Sequence, residues 1–201
     1  MPHEHIIYIV DDDEAVRSAL ALLMKSVGLT AQTYASADAF LEAFNPDRAG
    51  CLVVDVRMPG MSGLELQEVL VKRRIHIPVI IMTGHGDVSM AVKAMKAGAS
   101  DFIEKPFKNQ ELLDRIKQCV AKSDQLHMDQ QRRKEAVERL ALLSEREREV
   151  MDLLVDGKLN KQIAAELNIS IRTVEAHRAK VMDKLEANSL PEVVRISLLA
   201  D

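Results

Sequence analysis

Five short apolar runs, near residues 5 to 10, 30 to 35, 51 to 55, 77 to 82 and 100 to 104, alternate with amphipathic stretches as far as about residue 121. Runs of that length separated by helical patterns argue for βαβ units and therefore for a parallel sheet. Helix starts are marked at Ser36, at Ser62 with Glu65 three positions on (the capping-box spacing) and at Asp87. After Phe107 the pattern changes. From Phe107 to Asp156 there are 50 residues with no Gly and no Pro, and the middle, Lys122 to Arg139, is crowded with Lys, Arg, Gln, Asp and Glu. This predicts a long helix rather than a loose tether. A heptad counted from Ile116 puts Ile116, Cys119, Ser123, Leu126, Gln130, Arg133, Val137 and Leu140 at the a and d positions, five of the eight apolar. So weak a seam leaves two readings open, a solvated connecting helix and a two-stranded coiled coil.

The remaining residues read as four short helices with no strand pattern. Ser144 with Glu147 makes a capping box for the first, which ends at Asp156-Gly157, and Asn160 caps a second that runs through Leu167. Ile171 to Leu185 is the third, and Ser189 with Glu192 caps the fourth, with Pro191 tolerated in its first turn. The 201 residues thus divide into an α/β region at 4–121, a helical linker at 122–137 and an all-α region at 138–201. A composition of 47% hydrophobic and 29% charged residues is that of a soluble globular protein. No apolar run approaches the ~18 to 20 residues that cross a bilayer, and the first residues lack a basic segment ahead of an apolar one, so neither export nor membrane anchoring is expected. Cys51 and Cys119 show no spacing that suggests a disulfide framework or a zinc knuckle, and a reducing cytoplasm is the expected compartment.

Chemistry concentrates where the apolar runs end. Asp11 and Asp12 close the run from Ile6 to Val10, Asp55 closes that from Cys51 to Val54, Thr83 closes that from Val79 to Met82, and Lys105-Pro106 follows the run around Phe102-Ile103. In a parallel sheet these carboxyl ends share one edge, where open α/β sheets bind ligands. Three uncompensated acids would raise one another's pKa, so a divalent cation is the economical reason for collecting them, and two or three carboxylates are the usual protein share of a Mg2+ shell. An Asp55 oxygen would attack a phosphoryl donor in line, Lys105 would offer a mobile charge to the transferred group, and Thr83 a hydroxyl. Singly, the residues have plainer readings: an acidic helix start for Asp11 to Glu14, a strand-end hydroxyl for Thr83 and core packing for Phe102.

Four segments occur in order: Val10-Asp11-Asp12-Asp13, Asp55-Val56-Arg57-Met58-Pro59-Gly60-Met61-Ser62-Gly63, Thr83-Gly84-His85-Gly86-Asp87 and Lys105-Pro106-Phe107. Together they resemble the receiver domain of two-component response regulators over about residues 4 to 121. The resemblance implies a five-stranded parallel sheet in the flavodoxin-like order 2-1-3-4-5, flanked by five helices. It also implies Asp55 as phosphoacceptor, and Asp11, Asp12 and Asp55 with the Arg57 backbone carbonyl as Mg2+ ligands. Thr83 and Lys105 become phosphoryl ligands, Lys105-Pro106 a cis peptide, and Phe102 the switch aromatic. Family members tune loss of the phosphoryl group at the positions of Arg57 and His85. Neither is a carboxylate or amide that would orient an attacking water, which predicts a phosphoryl group outlasting the seconds typical of fast motility switches.

The net charge is −4, and from Ala141 onward nine basic residues face eleven acidic ones, so charge alone makes no case for nucleic-acid binding. Local pattern must carry it. Between Ile171 and Leu185, Val174, Val181 and Leu185 follow an inward spacing. Arg172, Glu175, Ala176, Ala179 and Asp183 form an outward stripe, with Thr173, His177, Lys180 and Lys184 beside it. Such a helix fits a major groove, with Ala176 and Ala179 against thymine methyls, Glu175 accepting from cytosine and the cations on phosphates; the plainer alternative is a solvated helix face. The segments 143–150, 157–164, 169–178 and Lys184-Leu185 resemble the LuxR/NarL-type helix-turn-helix over about residues 138 to 199. The resemblance implies a supporting helix from Lys161 to Leu167, a recognition helix from Ile171 to Leu185 and a last helix, Pro191 to Leu199, that pairs two such domains. The DNA-contacting residues it suggests are Lys161, Ser170, Arg172, Thr173, Glu175, Ala176, His177, Arg178, Ala179, Lys180 and Lys184. Glu175 and Ala179 stand where some relatives carry Lys, so no operator sequence is carried over.

Both halves together are similar to response regulators of the FixJ/StyR type. The resemblance implies a cytoplasmic transcription regulator whose Asp55 is phosphorylated by a sensor histidine kinase. It implies receiver dimerisation through residues near Met90 to Met95, Phe102 and Leu112 to Lys117, and a palindromic double-stranded site, with RNA polymerase as a further candidate contact. Haloacid-dehalogenase-type phosphatases share an aspartate, Mg2+, a Thr or Ser and a Lys. They place a second Asp where this chain has Arg57, so enzymatic turnover is not expected. A phosphorylation-independent regulator using the receiver as a docking or dimerisation module is the alternative.

Overall fold

Strands β1 (Ile6–Val10), β2 (Thr30–Tyr34), β3 (Gly50–Asp55), β4 (Val79–Thr83) and β5 (Asp101–Glu104) form one parallel sheet in the order β2-β1-β3-β4-β5. The computed structural model describes residues 5–46, 48–84 and 88–200, without the side chains of 88, 89 and 91. The helix start expected at Asp87 and the tuning position His85 lie outside the described residues. Because side chains alternate across a strand, Ile6, Tyr8 and Val10 enter one core with Phe40, Leu66 and Leu70. Ile7 and Ile9 enter another with Leu20, Met24, Leu112 and Ile116. Coverage on both faces explains why β1, β3 and β4 are continuous apolar runs, whereas the edge strand β2 reads Thr-Ala-Gln-Thr-Tyr and is partly exposed.

The covering helices are α1 (Glu14–Ser26), α2 (Ala37–Ala43), α3 (Gly63–Lys72), α4 (Val88–Lys96) and α5 (Asn109–Ala141). Their starts are chemically fixed. Asp13 caps α1 by accepting from the Ala15 N–H, Ser36 caps α2, and Ser62 and Glu65 close a reciprocal capping box on α3. The chain divides into two units, the first ending at His127 and the second beginning at Met128, so that α5 runs through the boundary.

The second unit contains the end of α5 and α6 (Glu145–Val155), α7 (Asn160–Glu166), α8 (Ile171–Lys184) and α9 (Leu190–Ala200). The Ser144–Glu147 capping box is formed, and Gly157 follows α6 with φ +80°, a conformation glycine adopts without penalty. Two expected caps differ. Leu159, not Asn160, precedes α7, and its N–H is taken by the Gln162 side chain, while the Asn160 amide oxygen accepts from Arg178. At α9 the Glu192 carboxylate accepts from the Asn188 N–H.

Part of the α5 heptad is used within the chain itself. Ile116, Cys119 and Ser123 are buried in the first unit, where the Ser123 hydroxyl accepts the Gly50 N–H at 2.8 Å, and Asp124 meets His5 at 2.6 Å. Ala136 and Leu140 are buried in the core of the second unit. The a and d positions free of both cores are Leu126, Gln130, Arg133 and Val137, half of them polar. A coiled-coil seam of that length and composition has little apolar surface to bury. Among the described residues no helix is long and apolar enough to cross a membrane.

Candidate functional sites

The carboxyl edge of the sheet brings Asp11, Asp55, Thr83 and Lys105 together. The Lys105 ammonium lies between two carboxylates, 2.8 Å from Asp11 Oδ2 and 2.6 Å from Asp55 Oδ1. Asp11 is 1% exposed and Asp55 8%, so both charges are largely removed from water and need the partner. Burial of the ammonium works against its charge, but hydrogen bonds and attraction from Asp11 and Asp55 prevail and raise the Lys105 pKa above its ordinary value. Each acid is held by a second donor: the Asp13 N–H reaches Asp11 Oδ1 at 2.9 Å, and the Arg57 N–H reaches Asp55 Oδ2 at 2.6 Å. The Lys105 N–H donates to the Thr83 carbonyl at 2.7 Å, which fixes the lysine beside the buried threonine, whose hydroxyl donates to the Gly84 carbonyl at 3.4 Å. The Lys105-Pro106 peptide is cis.

Asp12 is exposed, and among the described residues no three acidic, histidine or cysteine side chains converge closely enough to hold a metal ion. The Lys105 ammonium bridges Asp11 and Asp55. The donor set itself, two buried carboxylates with a third on the rim, is all oxygen and therefore suits a hard divalent cation. Phe102 is half-buried and packs against the first core, while on the expected pairing surface Val92 and Met95 are exposed but Leu112 and Ile116 point into the second core.

Two positioning residues went unassigned in the sequence. Arg17, one turn into α1, donates to the Asp11 carbonyl at 2.7 Å and ties the acid-bearing loop to the helix. At Gly63, the first residue of α3, an added Cβ would lie 2.3 Å from the Asp55 carbonyl oxygen. The helix therefore approaches Asp55 more closely than any other residue permits. The quoted motif contained this glycine, but only the packing reveals its task.

In the second unit, Val174 and Val181 of α8 and Leu185 just after it are fully buried, and Arg172, Thr173, Glu175, Ala176, Ala179 and Lys180 are exposed along the other side. Lys161 on α7 is exposed, and the Ser170 hydroxyl caps α8 and pairs with the Thr173 hydroxyl. Three residues are placed differently from the expected outward array. Lys184 reaches Glu147 Oε2 at 2.6 Å and the Leu142 carbonyl at 3.0 Å; Glu147 is buried and claims that cation. Arg178 is half-buried on Asn160, and His177 is half-buried with Nδ1 lacking a hydrogen-bond partner among the described residues. The bond from Lys184, then that from the Ser144 N–H, holds the Glu147 pKa down at about 2.

Comparison with known families finds a match in each unit. Residues 7–117 match the response regulator receiver domain, and residues 141–197 match the bacterial regulatory proteins of the luxR family. The transcriptional regulatory protein FixJ of Azorhizobium caulinodans is 50% identical over 100% of this chain and 95% of its own. The chain belongs to the response regulators. The response regulator protein TodT of Pseudomonas putida is 45% identical over 96% of this response regulator and 85% of its own length. The solved structure of the response regulator StyR superposes with a TM-score of 0.86 at 42% identity, covering 97% of this chain and 98% of that one. Full-length FixJ from B. japonicum gives 0.59 at 42% identity over 98% of each. This response regulator is accordingly a phosphorylation-controlled transcriptional regulator of a two-component system, built from a receiver and a luxR-type DNA-binding domain.

Proposed function

We propose that Asp55 is the phosphoacceptor of this response regulator and that a sensor histidine kinase is its donor. The observation that carries the assignment is the Lys105 ammonium at 2.6 Å from Asp55 Oδ1 at the carboxyl edge of the sheet. One Asp55 carboxylate oxygen forms the bond to phosphorus as the donor's bond to phosphorus breaks, and the leaving group departs with that electron pair and takes a proton from solvent. Lys105, released from its bridge, compensates the charge of the transferred group, and the Thr83 hydroxyl donates to it. Asp11, Asp12, Asp55 and the Arg57 carbonyl would hold Mg2+, which supplies charge neutralisation for the phosphoryl oxygens when bound. Phe102 is the side chain through which this change reaches the α4–β5–α5 surface. The protein takes a phosphoryl group from a partner and is not a turnover enzyme beyond its own phosphorylation and slow dephosphorylation.

Phosphorylation pairs two receivers, and exposed Val92 and Met95 supply apolar surface for that contact. Pairing brings two α8 helices to half-sites of a palindromic double-stranded site in the cytoplasm. Lys161, Arg172, Thr173, Glu175, Ala176, Ala179 and Lys180 face the DNA there, and RNA polymerase is a further contact of the assembled dimer. The test is incubation of the purified protein with acetyl phosphate and Mg2+, followed by mass spectrometry. A gain of one phosphoryl group that maps to Asp55 and is lost in Asp55→Asn is expected; an unphosphorylated wild type overturns the assignment.

A further inference from the structure

A cavity of about 290 Å3 opens between the last third of α5 and α9, wholly within the second unit. Its floor is apolar. Ala136 and Ile196 belong to the buried core of that unit, and Leu199 packs against them. Its rim is charged, with Arg132, Glu135 and Arg139 from α5 and Arg195 from α9. These cations are not equally engaged. Arg139 donates to the Leu185 carbonyl at 3.1 Å and pairs with Glu186 at 2.9 Å. Arg132 has a 3.5 Å ion pair with Asp129 one turn back, both side chains more than half exposed, a contact worth little in water. Arg195 is exposed and has no hydrogen-bond or ion-pair partner among the described residues. With Arg139 paired to Glu186 and Arg132 to Asp129, Arg195 is the rim guanidinium that has no ion-pair partner among the described residues, on a rim that also carries the Glu135 carboxylate.

We propose that this cavity is a binding site for a small monocarboxylate with a hydrocarbon body. The size lies at the lower edge of ligand pockets, about 300 Å3, and suits roughly ten non-hydrogen atoms. The planar fork of a guanidinium matches a carboxylate bidentately, which assigns the head group to Arg195 with Arg132 beside it. The body of the ligand then covers Ala136, Ile196 and Leu199, so head and tail are each recognised by a different part of the cavity. Neither part is used by the acid pocket or by the exposed face of α8. The same two-part recognition excludes a neutral alcohol, which lacks the charge, and inorganic phosphate, which lacks the tail.

The experiment is calorimetric titration of the full-length protein with octanoate, with saturation-transfer NMR on the same samples and with octanol and inorganic phosphate as controls. Octanoate is expected to bind with a Kd of about 1 mM or tighter, and each control at least about tenfold more weakly. Arg195→Ala, at an exposed position, weakens octanoate about tenfold, and Ala136→Leu, which fills the floor, abolishes it. Absence of octanoate binding, equal binding of octanol, or binding that survives both substitutions unchanged overturns the proposal.

Discussion

At the scale of single residues, the acid site is held by groups that do no chemistry themselves. Gly63 is the sharpest case, because any side chain there meets the Asp55 carbonyl oxygen at 2.3 Å and must displace either β3 or α3. Gly63→Ala is therefore expected to slow phosphorylation by acetyl phosphate about tenfold or more while leaving the DNA-binding unit folded, as followed by mass spectrometry and circular dichroism. The position of Arg57 supports a second prediction. Its N–H is engaged with Asp55, and its side chain offers no carboxylate or amide to align a water. The phosphoryl group should outlast the seconds of fast motility switches, and a half-life of a few seconds on the purified protein contradicts this. What the sequence made legible here were the residues that end strands, because an acid after an apolar run can be seen one position at a time. Arg17 on the Asp11 carbonyl and the shared Lys105 bridge depend on contacts across 6, 50 and 94 positions of chain, and no local pattern encodes them.

At the scale of elements, the capping signals at Ser36, Ser62 and Ser144 were readable because a cap is written within four residues. Lys184 was not. Its spacing on α8 places it beside the outward stripe, yet a buried glutamate 37 positions away takes its charge and joins the end of α8 to the start of α6. This bond has a pH signature. The folded state holds Glu147 at about 2, below its ordinary value of 4.5, so the stabilisation is fully present above pH 4.5 and is lost as pH falls toward 2. Allowing for solvent at the partly exposed Lys184, the contribution is about 1–2 kcal/mol. Urea unfolding followed at pH 5 and pH 3 should show about half of that contribution lost in the wild type. In Glu147→Gln the protein should be less stable at pH 5 and the difference between the two pH values correspondingly smaller.

At the scale of the whole molecule, one element belongs to both units. Helix α5 gives Leu112, Ile116 and Cys119 to the receiver core and Ala136 and Leu140 to the core of the DNA-binding unit. The sequence announced a long helix through its lack of Gly and Pro. It could not announce that both ends are already packed, since the same a and d spacing serves an intramolecular core and a coiled coil equally well. The exposed middle, around Gln130, touches neither core, so a break there tests coupling without unfolding either unit. Proline at that position removes a helical hydrogen bond and clashes with the carbonyl of Leu126, at a cost of about 3 kcal/mol confined to the exposed turn. If receiver pairing acted only by raising the local concentration of the DNA-binding units, a kinked connection would serve nearly as well as a straight one. If instead the unbroken helix itself carries the signal, Gln130→Pro should reduce the phosphorylation-driven gain in DNA affinity about tenfold while Asp55 is still phosphorylated at the wild-type rate. Gel-shift titration with and without acetyl phosphate reads the difference, and an undiminished gain would leave α5 a mere tether.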